Sequence, residues 1–175
     1  MQPLVDALAS WRSFYELLGE ASATMTGLLF VAASVGSGAF SGTRRAAQRM
    51  FLSASVVNLG GILAVSLIFM VPLQSQILFG SLITAGGLFG LAYYAVTWRD
   101  TVRDGLIKRI DLEDRTWYAV LPIGGYLLET ACGIALALQH ALGWPALAVT
   151  TGLLLLIAIH NAWDITIWSI TRRRE

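Results

Sequence analysis

Long apolar segments separated by short polar stretches dominate this sequence. From Met50 to Trp98 the chain has no Asp, Glu, Lys or Arg, and between Arg115 and Asp164 the only such residue is Glu129. A membrane-spanning helix needs about 20 consecutive, predominantly apolar residues. The pattern therefore predicts five spans, at about residues 17–37, 51–71, 77–97, 117–139 and 146–170.

The same pattern decides between helices and strands. Transmembrane β-strands alternate apolar and polar residues with a period of two, and these segments do not alternate. We therefore predict an all-α fold, an integral membrane bundle of five transmembrane helices in a single domain of residues 1–175. The links Pro72–Gln76 and His140–Pro145 are short, so each should join its two spans into an antiparallel hairpin.

The residues before the first span have a pattern of their own. Apolar side chains such as Leu4, Leu8, Trp11 and Tyr15 recur at intervals of three or four residues. This spacing predicts an amphipathic N-terminal helix over residues 1–16. Two placements are open for that helix: it lies on the outer leaflet of the membrane, or it extends the first span.

Composition and charge agree with a membrane location and indicate an orientation. The chain is 56% hydrophobic and 13% charged, about half the charged fraction of a soluble domain. Eleven of the twelve Lys and Arg residues fall in the first loop, the third loop or the C-terminal tail, and only Arg12 falls on the other side. The positive-inside rule then predicts an N-terminus outside and a cytoplasmic C-terminus. The lipid bilayer is the expected partner. A net charge of +1 gives no general attraction to nucleic acid, so we expect no nucleic-acid partner.

Ionisable residues interrupt the predicted spans. Glu20 lies near the start of span one, Glu129 near the middle of span four, and His160 and Asp164 one turn apart in span five. A carboxylate at the centre of a membrane helix costs about 2.5–3.5 kcal/mol on insertion scales. Residues kept at that cost are usually paired or functional, so these four are the candidate site residues.

Three hypotheses account for the candidate residues. In the leading one, groups at successive depths form a path for protons or cations, lined by Glu20, Glu129, His160 and Asp164 with Asn58 and Tyr126 as polar support. In the second hypothesis, buried polar groups only form hydrogen bonds between helices and fix their register. In the third, a manganese or iron ion is held by a set of oxygen and nitrogen ligands, namely Glu20, Glu129, His160 and Asp164.

The leading function is a small membrane channel or transporter for protons or cations. We expect a homo-oligomer, because five short helices alone enclose little volume. The alternative is a non-catalytic membrane partner that binds or regulates a larger membrane complex. Its contact surfaces would be faces rich in glycine pairs, such as Gly60–Gly61 and Gly86–Gly87, and the charged cytoplasmic loop Arg99–Thr116. We expect no enzyme, because hydrolase motifs such as Gly-x-Ser-x-Gly and His-Glu-x-x-His are missing from the sequence. We also expect no cofactor, since His140 and His160 fall at depths too different to ligate one haem.

The first span carries a resemblance to a known group of proteins. Phe14-Tyr15, followed by the run Gly19–Ala32 with the sequence GEASATMTGLLFVA, resembles the first helix of small uncharacterised multi-pass membrane proteins of bacteria. Some members of that group are labelled modulators of a membrane-anchored AAA protease. The resemblance covers about a tenth of the chain. It implies a bacterial inner-membrane location and transfers no functional residue.

Overall fold

The structure is a computed structural model, and it describes residues 2–36, 43–103 and 112–171. The orientation prediction depends partly on basic residues elsewhere in the chain, and Lys108, Arg109 and Arg172–Arg174 lie outside the described residues.

All secondary structure in the described residues is helical, and no strand occurs among them. A π-helical segment, Thr116–Val120, joins the fourth helix to the fifth without a break. The prediction of an all-α fold is confirmed. The helices are α1 (Gln2–Gly36), α2 (Thr43–Met70), α3 (Gln76–Arg103), α4 (Leu112–Arg115), α5 (Leu121–Ala137) and α6 (Gly143–Thr171).

Three helical stretches in the described part of the chain are long and apolar enough to cross a membrane. They are Gln76–Arg103, Thr116–Ala137 and Gly143–Asp164, which correspond to predicted spans three, four and five. In α2 the apolar stretch is shorter, Ala54–Met70. These features are those of a membrane protein.

The first helix is continuous from Gln2 to Gly36. At 1.5 Å of rise per residue it is about 52 Å long, whereas the hydrocarbon core of a bilayer is about 30 Å thick. The predicted amphipathic segment and the predicted first span therefore form one helix.

Neighbouring helices run in opposite directions. A Cβ atom built on Gly19 of α1 would lie 3.0 Å from the Ser66 side chain of α2. One turn later on α1, the Ser22 hydroxyl donates a hydrogen bond to the Leu59 carbonyl oxygen, which lies about two turns earlier on α2. Equivalent contacts pair α3 with α2 and with α5, and α6 with α5. Helices α1, α3 and α6 consequently point one way, and α2 and α5 the other.

The turn between α5 and α6 occupies residues 138–142. Gln139 has a left-handed backbone (φ 63°), and the His140 N–H donates to the Ala135 carbonyl at 2.9 Å. This is the arrangement that commonly ends helices when one residue enters the left-handed region. Pro145 lies in the first turn of α6, where proline removes no helical hydrogen bond. The predicted link at His140–Pro145 therefore lies about two residues too late in the chain.

Helices α3 and α5 make the closest contact in the bundle, through glycines on both sides. A Cβ atom on Gly80 would lie 2.6 Å from the Gly133 carbonyl oxygen, and one on Gly133 would lie 2.8 Å from the Gly80 carbonyl oxygen. About two turns further on α3, a Cβ atom on Gly87 would lie 2.8 Å from the Thr130 backbone nitrogen. Small residues permit such approach, and close packing stabilises helix pairs in lipid.

An aromatic cluster ties four helices together at the opposite end of the bundle from the π-helical segment. The ring of Phe69 in α2 stacks on Tyr15 of α1, with 3.6 Å between ring centroids. It also meets Phe79 of α3 edge-on at 4.9 Å and Trp144 of α6 at 6.1 Å. Tyr15, Phe69 and Phe79 are all buried, so this cluster fixes how α1, α2, α3 and α6 meet.

Candidate functional site

Glu129 lies inside the bundle. Its side chain on α5 is only 3% exposed, and one carboxylate oxygen would lie 3.2 Å from a Cβ atom on Gly86 of α3. Within the described residues, no hydrogen bond or ion pair reaches this carboxylate. The position is about 20 Å from the start and about 12 Å from the end of the apolar stretch Thr116–Ala137, at 1.5 Å per residue.

A crevice of about 250 Å³ lies against Glu129, between α2 and α3. Helix α5 forms its floor, where Glu129 and the Tyr126 hydroxyl are the ionisable groups of the lining. The mouth of the crevice is on the outer surface of the bundle, because five of its lining residues are exposed. In full, the lining consists of Val57, Gly60, Gly61, Ala64, Val65, Ile68, Leu82, Gly86, Phe89, Tyr126 and Glu129.

Tyr126 occupies the floor of the crevice one turn before Glu129. Its ring passes between two glycines, since a Cβ atom on Gly90 would overlap the ring and one on Gly61 would lie 3.0 Å from the hydroxyl. The hydroxyl donates a long hydrogen bond of 3.4 Å to the Val57 carbonyl. The glycines of α2 and α3 thus create the space in which Tyr126 fits.

Asn58 lies deeper in the same interhelical space. Its side-chain oxygen accepts a 2.9 Å hydrogen bond from the Tyr94 hydroxyl, and both side chains are almost fully buried. The Tyr94 ring is 5.8 Å from the Tyr126 ring, centroid to centroid. Asn58, Tyr94, Tyr126 and Glu129 therefore form one group, which we call the α2–α3–α5 polar cluster.

Tyr94 is absent from the candidates that the sequence predicts. Its spacing does carry a signal, because Ile83, Gly87, Gly90 and Tyr94 recur every three or four residues and are all buried on one face of α3. A tyrosine that continues a glycine stripe lies on the packed face of its helix, where its hydroxyl needs a partner.

Glu20 lies apart from this cluster. Its side chain is exposed on α1, although the neighbouring Gly19 packs against Ser66 of α2. Glu20 therefore faces away from the interior of the bundle, at a position inside the predicted first span.

His160 and Asp164 form a second polar group, on α6. The His160 Nδ1 atom and an Asp164 carboxylate oxygen are 3.5 Å apart, and both side chains are partly exposed. The Trp117 ring stacks on the imidazole with a centroid distance of 3.7 Å and an interplanar angle of 11°. This contact fixes the plane of the imidazole, leaving the Nδ1 edge toward Asp164.

The π-helical segment explains why α6 is held at this point. In the π register the Leu121 N–H bonds to the Thr116 carbonyl, so the next carbonyl, that of Trp117, would take its bond from residue 122. Pro122 has no N–H to give. The Asn161 side-chain amide donates to the Trp117 carbonyl instead, at 3.2 Å. Asn161 thus has a structural role next to His160.

The candidate residues consequently lie at three separate positions: the α2–α3–α5 polar cluster, the surface of α1 and the C-terminal part of α6. Trp117, which contacts His160, is about 18 Å from Glu129 along the helix at 1.5 Å per residue. Within the described part of the chain, no three or more His, Cys, Asp or Glu residues come together as a metal site. The four residues of the metal hypothesis, Glu20, Glu129, His160 and Asp164, therefore do not form one ligand set in the described structure.

Comparison with known proteins adds no family to this picture. No known protein family, curated protein sequence or solved structure matches this chain.

Proposed function

We propose that this protein is a small membrane transport protein that moves protons or cations, with Glu129 as the ion-binding group. The observation that carries the proposal is the placement of Glu129, a residue only 3% exposed whose carboxylate lies at the floor of a crevice that reaches the outer surface of the bundle. A carboxylate at this depth costs free energy, and no partner among the described residues offsets that cost.

Among inorganic cations, the proton fits the ligands of this site better than a metal ion does. A hard metal cation needs several oxygen ligands to replace its water shell. The side-chain oxygens of the crevice lining belong to Glu129 and Tyr126, and these two groups are fewer than such a cation needs. Binding a proton needs one oxygen lone pair and leaves a neutral side chain that lipid tolerates.

His160 and Asp164 take a separate role in the proposal. They are partly exposed at the far end of α6, beside Trp117. An imidazole and a carboxylate within 3.5 Å can both accept protons. We assign this pair to proton exchange between the transport path and water on the cytoplasmic side.

The topology and assembly form part of the same proposal. We propose five spans, with the N-terminus outside and the C-terminus in the cytoplasm of a bacterium, in its inner membrane. We also propose a homo-oligomer, because five short helices alone enclose little volume for a transport path.

The proposal predicts a proton flux that depends on Glu129. The purified protein is reconstituted in liposomes that contain a pH-sensitive dye, and a potassium gradient with an ionophore imposes a membrane potential. Wild-type liposomes should acidify faster than empty ones. Glu129→Gln should slow this flux by about tenfold or more, because an amide does not take up and release a proton as a carboxyl does.

Glu16→Gln is the matched control for this experiment. Glu16 is exposed and pairs with Arg12 on the surface of α1 at 2.8 Å, so its substitution should leave the flux unchanged. Thermal unfolding of both variants shows whether each is folded. A wild-type flux equal to that of empty liposomes would overturn the proposed function. Equal fluxes in the wild type and a folded Glu129→Gln variant would overturn the role of Glu129.

A further inference from the structure

We propose that the crevice between α2 and α3 binds an amphiphilic amine, whose apolar body enters from the bilayer and whose ammonium group pairs with Glu129. This deepens the proposed function and rests on it for the assignment of Glu129 as the ion-binding group. The crevice is apolar except for its floor, and Glu129, whose carboxylate lies on that floor, is a residue only 3% exposed. A ligand with one positive charge on an apolar body is complementary to both features.

The walls of the crevice favour an organic ligand. Gly60, Gly61 and Gly86 contribute no side chain, so a ligand can approach the helix backbones closely. The exposed ring of Phe89 in the crevice lining can attract a cation through its π face. At about 250 Å³ the space is slightly smaller than a typical drug-binding pocket, so the ligand should be compact.

The sequence excludes a second copy of the chain as the source of this positive charge. None of the five predicted spans contains a Lys or Arg residue. His160, the one histidine in them, lies beside Trp117, about 18 Å from Glu129 along the bundle. Another subunit in the same orientation therefore has no cationic side chain at the depth of Glu129.

Access from the bilayer follows from the exposed mouth. Gly60, Ala64, Leu82 and Phe89 are exposed on the outer surface, which faces lipid if α2 and α3 span the membrane. An amphiphilic amine concentrates in the bilayer with its apolar body among the acyl chains. It would therefore reach Glu129 sideways between the two helices.

The test uses two probes of equal shape, 2-naphthylmethylamine and its uncharged counterpart 2-naphthylmethanol. Binding to the full chain in nanodiscs is measured by equilibrium dialysis against empty nanodiscs. The wild type should bind the amine at least about tenfold more tightly than the alcohol, because a hydrogen bond to a charged group is stronger than one to a neutral group. Glu129→Gln should remove this preference and leave the affinity for the alcohol unchanged.

A second variant blocks the crevice without touching the carboxylate. A Cβ atom on Gly60, an exposed residue of the crevice lining, meets nothing within 4 Å. Gly60→Leu therefore has room for its side chain, and we expect that side chain to narrow the crevice. It should weaken binding of both probes. Gly27→Leu on α1, where a Cβ atom also has open space, is the matched control and should bind both probes as the wild type does.

The outcomes of these experiments distinguish a failure of the amine-binding inference from a failure of the proposed transport function. Equal affinity of the wild type for the two probes, or unchanged amine binding in Gly60→Leu, would overturn the inference. Proton flux in a protein that binds no amine would also overturn it, while leaving the proposed function in place. Amine binding that depends on Glu129, in a protein without proton flux, would support the site and overturn the transport function.

Discussion

Gly80→Ala should separate α3 from α5 and lower the free energy of unfolding by about 3 kcal/mol or more. The added methyl group would overlap the Ala137 backbone nitrogen and lie 2.6 Å from the Gly133 carbonyl oxygen. Both are backbone atoms, so no side chain can rotate away and the helices themselves must move apart. Such a movement also loosens the packing at Gly133. Thermal unfolding followed by circular dichroism in detergent measures the effect.

Gly27→Ala is the matched control for this loss of stability. A Cβ atom on Gly27 meets nothing within 4 Å, and alanine favours a helix over glycine by about 1 kcal/mol. The control should therefore unfold at the wild-type temperature or slightly above it. If Gly80→Ala behaves in the same way, the close approach of α3 and α5 is wrong.

Phe69→Ala should cause the second large loss of stability, about 2–4 kcal/mol, near the lower part of the range for a buried aromatic residue. The ring packs against Tyr15, Phe79 and Trp144, so its removal leaves a cavity where four helices meet. The cost is lower than in a soluble protein because the unfolded chain in detergent still has an apolar environment. Most of the cost is then the van der Waals attraction between the Phe69 ring and its neighbours, which alanine cannot replace.

The control for this substitution is Phe30→Ala on α1. Phe30 is 62% exposed and Phe69 is 4% exposed, so the same change of side chain removes little packing at Phe30. Guanidinium or heat unfolding of the two variants in one detergent gives the comparison. Equal losses of stability at Phe30 and Phe69 would contradict the aromatic cluster.

The helical fold could be predicted because membrane insertion depends on the composition of whole segments. Apolar segments of this length indicate helices even when the buried side of each helix is unknown. The charge-free stretch from Met50 to Trp98 and the segment around Glu129 are the two examples. The end of α5 was harder to predict. Gln139 adopts a left-handed backbone that sequence patterns assign more readily to Gly or Asn.

The sequence does not predict with the same accuracy which face of each helix is buried in the bundle. In a soluble helix the outward face is polar, but a helix in lipid is apolar outside and also largely apolar inside. Glu20 and Glu129 are both carboxylates within apolar segments of the sequence, yet Glu20 is exposed and Glu129 is buried. The difference comes from the neighbouring helices, since glycine positions such as Gly86 and Gly90 admit Glu129 and Tyr126 between them.

We propose that Glu129 is reached from the bilayer through the crevice between α2 and α3. Diisopropylcarbodiimide, an apolar reagent, adds to a protonated carboxyl group, and the adduct rearranges to a stable N-acylurea with no leaving group. Peptide mass spectrometry after treatment in liposomes should find the adduct on Glu129 in the wild type and in Gly27→Leu, and much less of it in Gly60→Leu. An unmodified Glu129 in the wild type, or equal modification in Gly60→Leu, would contradict the claim.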